Sequence, residues 1–200
     1  MLFFSLCLVF VRANNKEAKM KKHYLVLGLT MASTGISAAE MGVKGGSDFF
    51  AAAINSEKTT SGLQYGAEYI NGHRQTQLVE ANLGYGFKLG ELQVAPRVGM
   101  FWADLDTGKS SSQGANAGIR LMAPLPYAGQ TWLYLDYSLA PDITTRNLHH
   151  LHQLEAGIYY QPASWLTLSS GYRYLSSDGK YGEKDQRLID GLFIGAAYRF

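Results

Sequence analysis

Cysteine is almost missing from this chain: its 200 residues include one, Cys7. No intrachain disulfide and no cysteine-built zinc or iron–sulfur site can form. Proline is scarce, five residues in all, yet no stretch repeats its apolar residues at helical spacing over the length of a stable helix. Nor is there an apolar run of the roughly 20 residues that a helix needs to cross a bilayer. Phosphate-cradling loops are also missing, because the 22 glycines fall at strand spacing and not in a nucleotide-binding pattern. These gaps exclude a disulfide scaffold, a helical bundle, a helical membrane protein and the common nucleotide folds.

What the chain has instead begins with two short apolar segments. From Met20 it reads MKKHYLVLGLTMASTGISAAE. Lys21 and Lys22 form a basic leader, residues 24–31 an apolar core, and Ser37, Ala38 and Ala39 a small-residue cleavage site before Glu40. That pattern predicts a secretory signal peptide over residues 20–39, cleaved near Ala39. The segment before it, residues 1–19, has an apolar run of only about ten residues, too short to span a bilayer. It reads as sequence upstream of a true start at Met20, and the alternative is a longer, unusual signal starting at Met1.

Residues 1–39 hold Cys7, five of the eighteen Lys and Arg and one of the sixteen acids, which leaves 13 basic and 15 acidic side chains in residues 40–200. The basic excess therefore lies in the discarded part and leaves no footprint for nucleic acid. The remaining 161 residues are one domain's worth. Without cysteine, that domain must be stabilised by packing and backbone hydrogen bonds.

Within residues 40–200 the dominant period is two, the period of a strand with unlike faces. In IDGLFIGAAYRF, Leu188, Leu192, Ile194, Ala196, Tyr198 and Phe200 share one face, and Arg187, Gly191, Gly195, Ala197 and Arg199 the other. The split recurs upstream: Leu166, Leu168, Tyr172 and Tyr174 oppose Thr167, Ser169, Gly171 and Arg173, and Leu133, Leu135 and Tyr137 oppose Trp132, Tyr134 and Asp136. Further back, Val79, Ala81, Leu83 and Tyr85 oppose Glu80, Asn82 and Gly84.

Such strands close into either a soluble cup with an apolar lumen or a membrane barrel with an apolar exterior. Three features favour the membrane. The polar face mixes glycine with both charge signs, as a narrow lumen requires. Phe87, Trp102, Tyr160, Tyr198 and Phe200 sit near strand ends on the apolar face, where interfacial aromatics belong. Strands of about ten residues suit a tilted crossing. Connections alternate as well: residues 89–91 and 161–164 are tight, while residues 104–112, 141–147 and 176–185 are long and polar. Residues 124–130 are longer than the pattern asks. Parity then requires a strand over residues 41–46 before the one over residues 48–55. The expectation is an all-β, closed antiparallel transmembrane barrel of about ten short strands over residues 40–200, with eight as the alternative.

The pieces LAPD, LEAGIYYQP, GYRYLSSDGK and LIDGLFIGAAYRF give the last third of the chain a specific look: it resembles the YfaZ family of small bacterial exported proteins. That resemblance implies a bacterial outer-membrane barrel with an amino-terminal signal peptide. It supplies no reaction and no catalytic residues. A last strand ending on an aromatic, with Tyr198 and Phe200, looks like the C-terminal signal by which the outer-membrane assembly machinery recognises barrels in Gram-negative bacteria.

Function is less legible. The polar faces predict a lumen charge network of Glu68, Glu80, Lys88, Arg97, Arg120, Asp136, Glu155, Arg173 and Arg199, since like charges in a low-dielectric interior must be matched. That network reads as a staple filling the barrel, or as the lining of a narrow pathway for ions or small solutes. NLHHLHQLE places His149, His150, His152 and Glu155 near Ser169, Ser170, Ser176 and Ser177, but no His-x-Ser pair of the outer-membrane lipid hydrolases occurs. No catalytic, cofactor or metal residue is assigned. The first expectation is a structural or surface-interaction barrel with no catalytic activity, then a narrow channel, then a lipid-modifying enzyme. The expected partners are outer-membrane lipid and the assembly machinery, not nucleic acid.

Overall fold

Alternation of large apolar with small or polar residues produces an unbroken run of strands in the computed structural model, which describes residues 39–56, 61–72, 76–104, 111–126, 128–146, 148–179 and 186–200. Of the mis-start and signal segments expected over residues 1–19 and 20–39, all but Ala39, and of the loops expected over residues 104–112 and 176–185, residues 105–110 and 180–185, lie outside the described residues. The strands are β1 (Ala39–Gly46), β2 (Phe49–Ser56), β3 (Gly62–Gly72), β4 (Gln77–Leu89), β5 (Leu92–Asp104) and β6 (Ser112–Pro124). They continue as β7 (Thr131–Ala140), β8 (Thr145–Arg146), β9 (Leu148–Ala163), β10 (Leu166–Gly179) and β11 (Gln186–Arg199).

Each strand pairs antiparallel with its neighbours, and β1 pairs with β11. The wall is a closed barrel of ten strands. β1 from residue 39 supplies the strand that parity demanded, so the eight-strand alternative falls. Closure is tight where first and last strands meet: Ala39 N–H donates to Phe200 O at 3.0 Å and Phe200 N–H to Ala39 O at 2.9 Å. Sealing the sheet matters because an unpaired backbone edge in lipid costs several kcal/mol per group.

The two-residue β8 repairs a gap. β7 stops pairing with β6 at Ala117↔Leu139, leaving the far end of β6 without a partner on that side. The chain after β7 folds into a single 3-10 turn (Asp142–Thr144) and returns to pair Gln113↔Arg146 and Gly114↔Thr145. Thr144 Oγ1 adds a 2.7 Å bond to Ala115 O. Residues 141–147, expected as a free loop, are thus partly built into the wall.

At the Ala39 end the β4–β5 and β9–β10 turns are compact. Gly90 sits between β4 and β5 with φ 65°, a left-handed conformation that glycine adopts without steric cost. The longer β6–β7 connection satisfies its own backbone: Leu125 N–H bonds Thr131 O at 2.8 Å, and Thr131 Oγ1 donates to Ala128 O at 2.6 Å. That accounts for the extra length of residues 124–130.

The wall has two unlike faces. Outside, a continuous apolar surface runs through Val43, Leu83, Val98, Ile119, Leu133, Ile158 and Ile194, with Phe87, Tyr160, Tyr198 and Phe200 near one edge and Trp102, Tyr137 and Tyr172 near the other. Inside, the buried apolar core sits towards the far rim: Phe49, Ile70, Leu78, Phe101, Leu151, Leu175, Leu188, Ile189 and Phe193. This apolar plug departs from the expectation of a polar lumen throughout.

One face assignment changes. A bulge between Leu175 and Ser176 pairs Leu175 with Ile189 and Ser176 with Arg187, so Leu188 is the extra residue. Leu188 and Ile189 are both buried, and Arg187 is turned outward at 65% side-chain exposure. The expectation had Leu188 on the lipid face and Arg187 on the polar one. A bulge shifts the alternation by one residue, and period two alone cannot show it.

Candidate functional site: a charged layer across the lumen

Below the apolar plug, inward positions of eight strands converge on one layer. β3 and β4 present Glu68 and Glu80 as direct cross-strand neighbours, a like-charged pair that would be destabilising alone. Arg173, on β10 across the lumen, answers the first: Nη1 and Nη2 donate to the two Glu68 carboxylate oxygens at 2.8 Å each. Its Nη1 also lies 3.2 Å from Glu155 Oε2. This guanidinium is fully buried, and bidentate geometry is the strongest arrangement available to it.

Lys44 of β1 completes that half of the layer, donating to Glu155 Oε1 at 2.6 Å and lying 3.6 Å from Glu68 Oε1. Tyr134 OH donates to the same Glu155 oxygen at 2.8 Å. Glu80 is held by amides: Asn116 Nδ2 donates at 3.1 Å, and with its amide turned so that nitrogen faces the acid, Gln153 donates at 3.0 Å while accepting from Arg173. In the other half Asp136 takes Arg120, through Nε at 2.8 Å and Nη2 at 2.7 Å, together with Arg97. The layer therefore carries four cations, Lys44, Arg97, Arg120 and Arg173, against four carboxylates, Glu68, Glu80, Asp136 and Glu155. It is charge-balanced.

Aromatic rings cover the layer on both sides. Arg173 lies 5.6 Å from the Phe49 ring centroid and Lys44 5.3 Å from that of Phe193, so two cations sit beneath the apolar plug on ring faces. Those two rings meet edge to face at 5.9 Å. Towards the Ala39 end, Tyr134 and Tyr159 stack at 4.0 Å. The space left among the charged side chains is about 30 Å³, room for a water molecule or two.

Of the predicted lumen residues, the structure brings together Glu68, Glu80, Arg97, Arg120, Asp136, Glu155 and Arg173. Lys88 is exposed at the β4–β5 end, away from them. Arg199 lies nearer the Ala39 end, opposite Glu40 in the β1–β11 register. Lys44, Asn116, Gln153 and Tyr134 were not predicted. Lys44 was readable, since Met41 and Val43 alternate with it in β1, whereas the others are uncharged and no charge search finds them. Tyr198 and Phe200 are outward and exposed. Their rings lie 6.3 Å apart, with Trp165 6.2 Å from Tyr198.

His149, His150 and His152 lie together at the far rim. His150 Nδ1 is 3.5 Å and His152 Nε2 3.8 Å from the same Asp178 oxygen, and Tyr137 OH meets His152 Nδ1 at 3.3 Å. His149 pairs with Asp142 at 3.3 Å. Among the described residues no group of three or more His, Cys, Asp or Glu side chains is arranged to hold a metal. Tyr137, not a serine, is thus the hydrogen-bond partner of His152 Nδ1.

An apolar belt edged by aromatics, a sheet without edges and a paired polar interior define a transmembrane β-barrel of the bacterial outer membrane. Among the described residues no helix is long and apolar enough to cross a membrane; the chain crosses with strands. It belongs to the YfaZ family: the family model, described as YfaZ precursor, matches residues 19–200. The outer membrane protein YfaZ of Escherichia coli strain K12 is 24% identical over 190 residues, covering 90% of this chain and all of that protein. Among solved structures, the KdgM porin aligns with a TM-score of 0.47 at 13% identity, over 82% of this chain and 99% of that one. The N-terminal barrel domain of Pseudomonas aeruginosa OprF aligns at 0.39 and 12%, over 82% and 98%. The protein is located in the outer membrane and is exported with a signal peptide.

Proposed function

We propose that this protein is a closed structural and surface-interaction barrel without catalytic activity. The observation that carries the reading is the balanced layer of four cations and four carboxylates, with about 30 Å³ left among the charged side chains, beneath an apolar plug. A conducting lumen needs a continuous wet path and offers its charges to passing ions, whereas here each named charge is spent on a neighbour. Planar-bilayer recording of the purified barrel tests this. The expected result is a flat baseline, and discrete steps that scale with salt would instead favour the narrow channel. Turnover of labelled lipid by the same preparation should equal the protein-free rate.

The final strand serves as the segment read by the assembly machinery, with Tyr198 and Phe200 as its outward aromatics. Support comes from their placement on the lipid face beside the β1–β11 closure. Replacing Phe200 by Ser should lower the yield of folded protein in the outer membrane, with the unfolded remainder accumulating in the periplasm. Unchanged yield would remove this role.

A further inference from the structure

β1 and β2 have eight residues each and β9 sixteen. At about 3.3 Å per residue and a tilt near 40°, they rise roughly 20 Å and 40 Å. One side of the barrel thus stands well above the apolar belt. Outward rows along this tall side change character in order. Ile158, Ser170 and Ile194 share a row, then Ala156, Tyr172 and Leu192, then Leu154, Tyr174 and Asp190, then His152, Ser176 and Arg187. The change from apolar to polar falls across the tyrosines, which mark the lipid headgroup boundary.

The fourth row puts an imidazole, a hydroxyl and a guanidinium side by side on adjacent strands, about 5 Å apart. We propose that His152, Ser176 and Arg187 bind the phosphate of an outer-leaflet lipid headgroup. Arg187 is anchored for that task. Asp190 accepts from Nη1 at 2.5 Å, and the Tyr174 ring lies 5.8 Å beneath the guanidinium. Five guanidinium donors leave others directed away from Asp190. Asp190 is itself shared with Tyr172 OH, so its carboxylate is divided between the guanidinium and the phenol. Asp178 lies between His150 and His152, which holds the imidazoles at this edge of the wall. The bulge at Leu188 is what aims Arg187 outward. Without it, the residue would point into the lumen. An arginine held on the lipid-facing side at headgroup depth meets phosphate oxygens as its natural partners. The inference takes the Ala39 end, with its short β4–β5 and β9–β10 turns, as the periplasmic one; it does not rest on the lumen being closed.

The test uses the full-length folded barrel in vesicles of phosphatidylcholine alone or with one lipid in five replaced by phosphatidic acid, in EDTA. The readout is the temperature at which the folded gel band converts to the unfolded one. Phosphatidic acid should raise that temperature by about 5 °C for the native chain. Arg187→Gln with His152→Gln should lose the increment, while Lys88→Gln, a cation removed at the periplasmic end, should keep it. Arg187→Lys should retain part of it, which separates charge from a folding defect. An equal increment in the double variant, or the same increment from inorganic phosphate with phosphatidylcholine alone, would overturn the proposal. Failure here leaves the conductance result untouched.

Discussion

Leu192 and Phe193 are neighbours in the chain and live in different solvents. Leu192 is 73% exposed on the outer wall, and Phe193 is 2% exposed inside the lumen against Phe49 and Lys44. The two faces follow different rules of stability. On the outer wall each side chain meets lipid, which yields and refills, so truncation loses transfer energy alone. In the lumen every group has fixed neighbours, so a truncated side chain leaves a cavity and a removed charge leaves its partner bare.

The largest effect should come from the charged layer. Arg173→Met leaves Glu68 and Glu155 without their shared guanidinium and should cost about 3–5 kcal/mol in urea unfolding from lipid vesicles. Adding Glu68→Gln to that variant should recover part of the loss, because Lys44 still pairs with Glu155 and no carboxylate is then left without its cation. Next comes the plug: Ile189→Ala should cost about 2–5 kcal/mol, and Leu192→Ala about 2 kcal/mol or less, because only the first leaves a cavity. Equal costs would erase the distinction between the two faces. Smallest is Tyr134→Phe, about 1 kcal/mol, since Lys44 still holds the Glu155 oxygen that the phenol leaves.

How much of this was legible depends on the face. The lipid side was readable nearly residue by residue, because period two and aromatic strand ends are imposed by the bilayer. Most of the charges of the middle layer were also readable as inward positions, although which carboxylate each cation meets is set by reach across the lumen and not by sequence spacing. Arg173 and Glu68 lie 105 residues apart. The apolar plug was missed because much of it falls in apolar runs, such as Phe49-Phe50, Phe101-Trp102 and Leu192-Phe193-Ile194, where both faces are apolar and alternation disappears. Arg187 was misplaced because a bulge shifts the register by one. Lys88 has inward parity but stands too near the Ala39 end to meet an acid in the layer, a matter of height along the strand that parity does not report.

The most direct test of the paired lumen is a double-mutant cycle on Arg173 and Glu68, with Arg173→Met and Glu68→Gln alone and together, followed by reversible urea unfolding in vesicles. A dry, paired interior predicts a coupling of about 2 kcal/mol. In a wet, open lumen the same pair would be screened like an exposed salt bridge, and single costs that add to within about 0.5 kcal/mol would contradict the account.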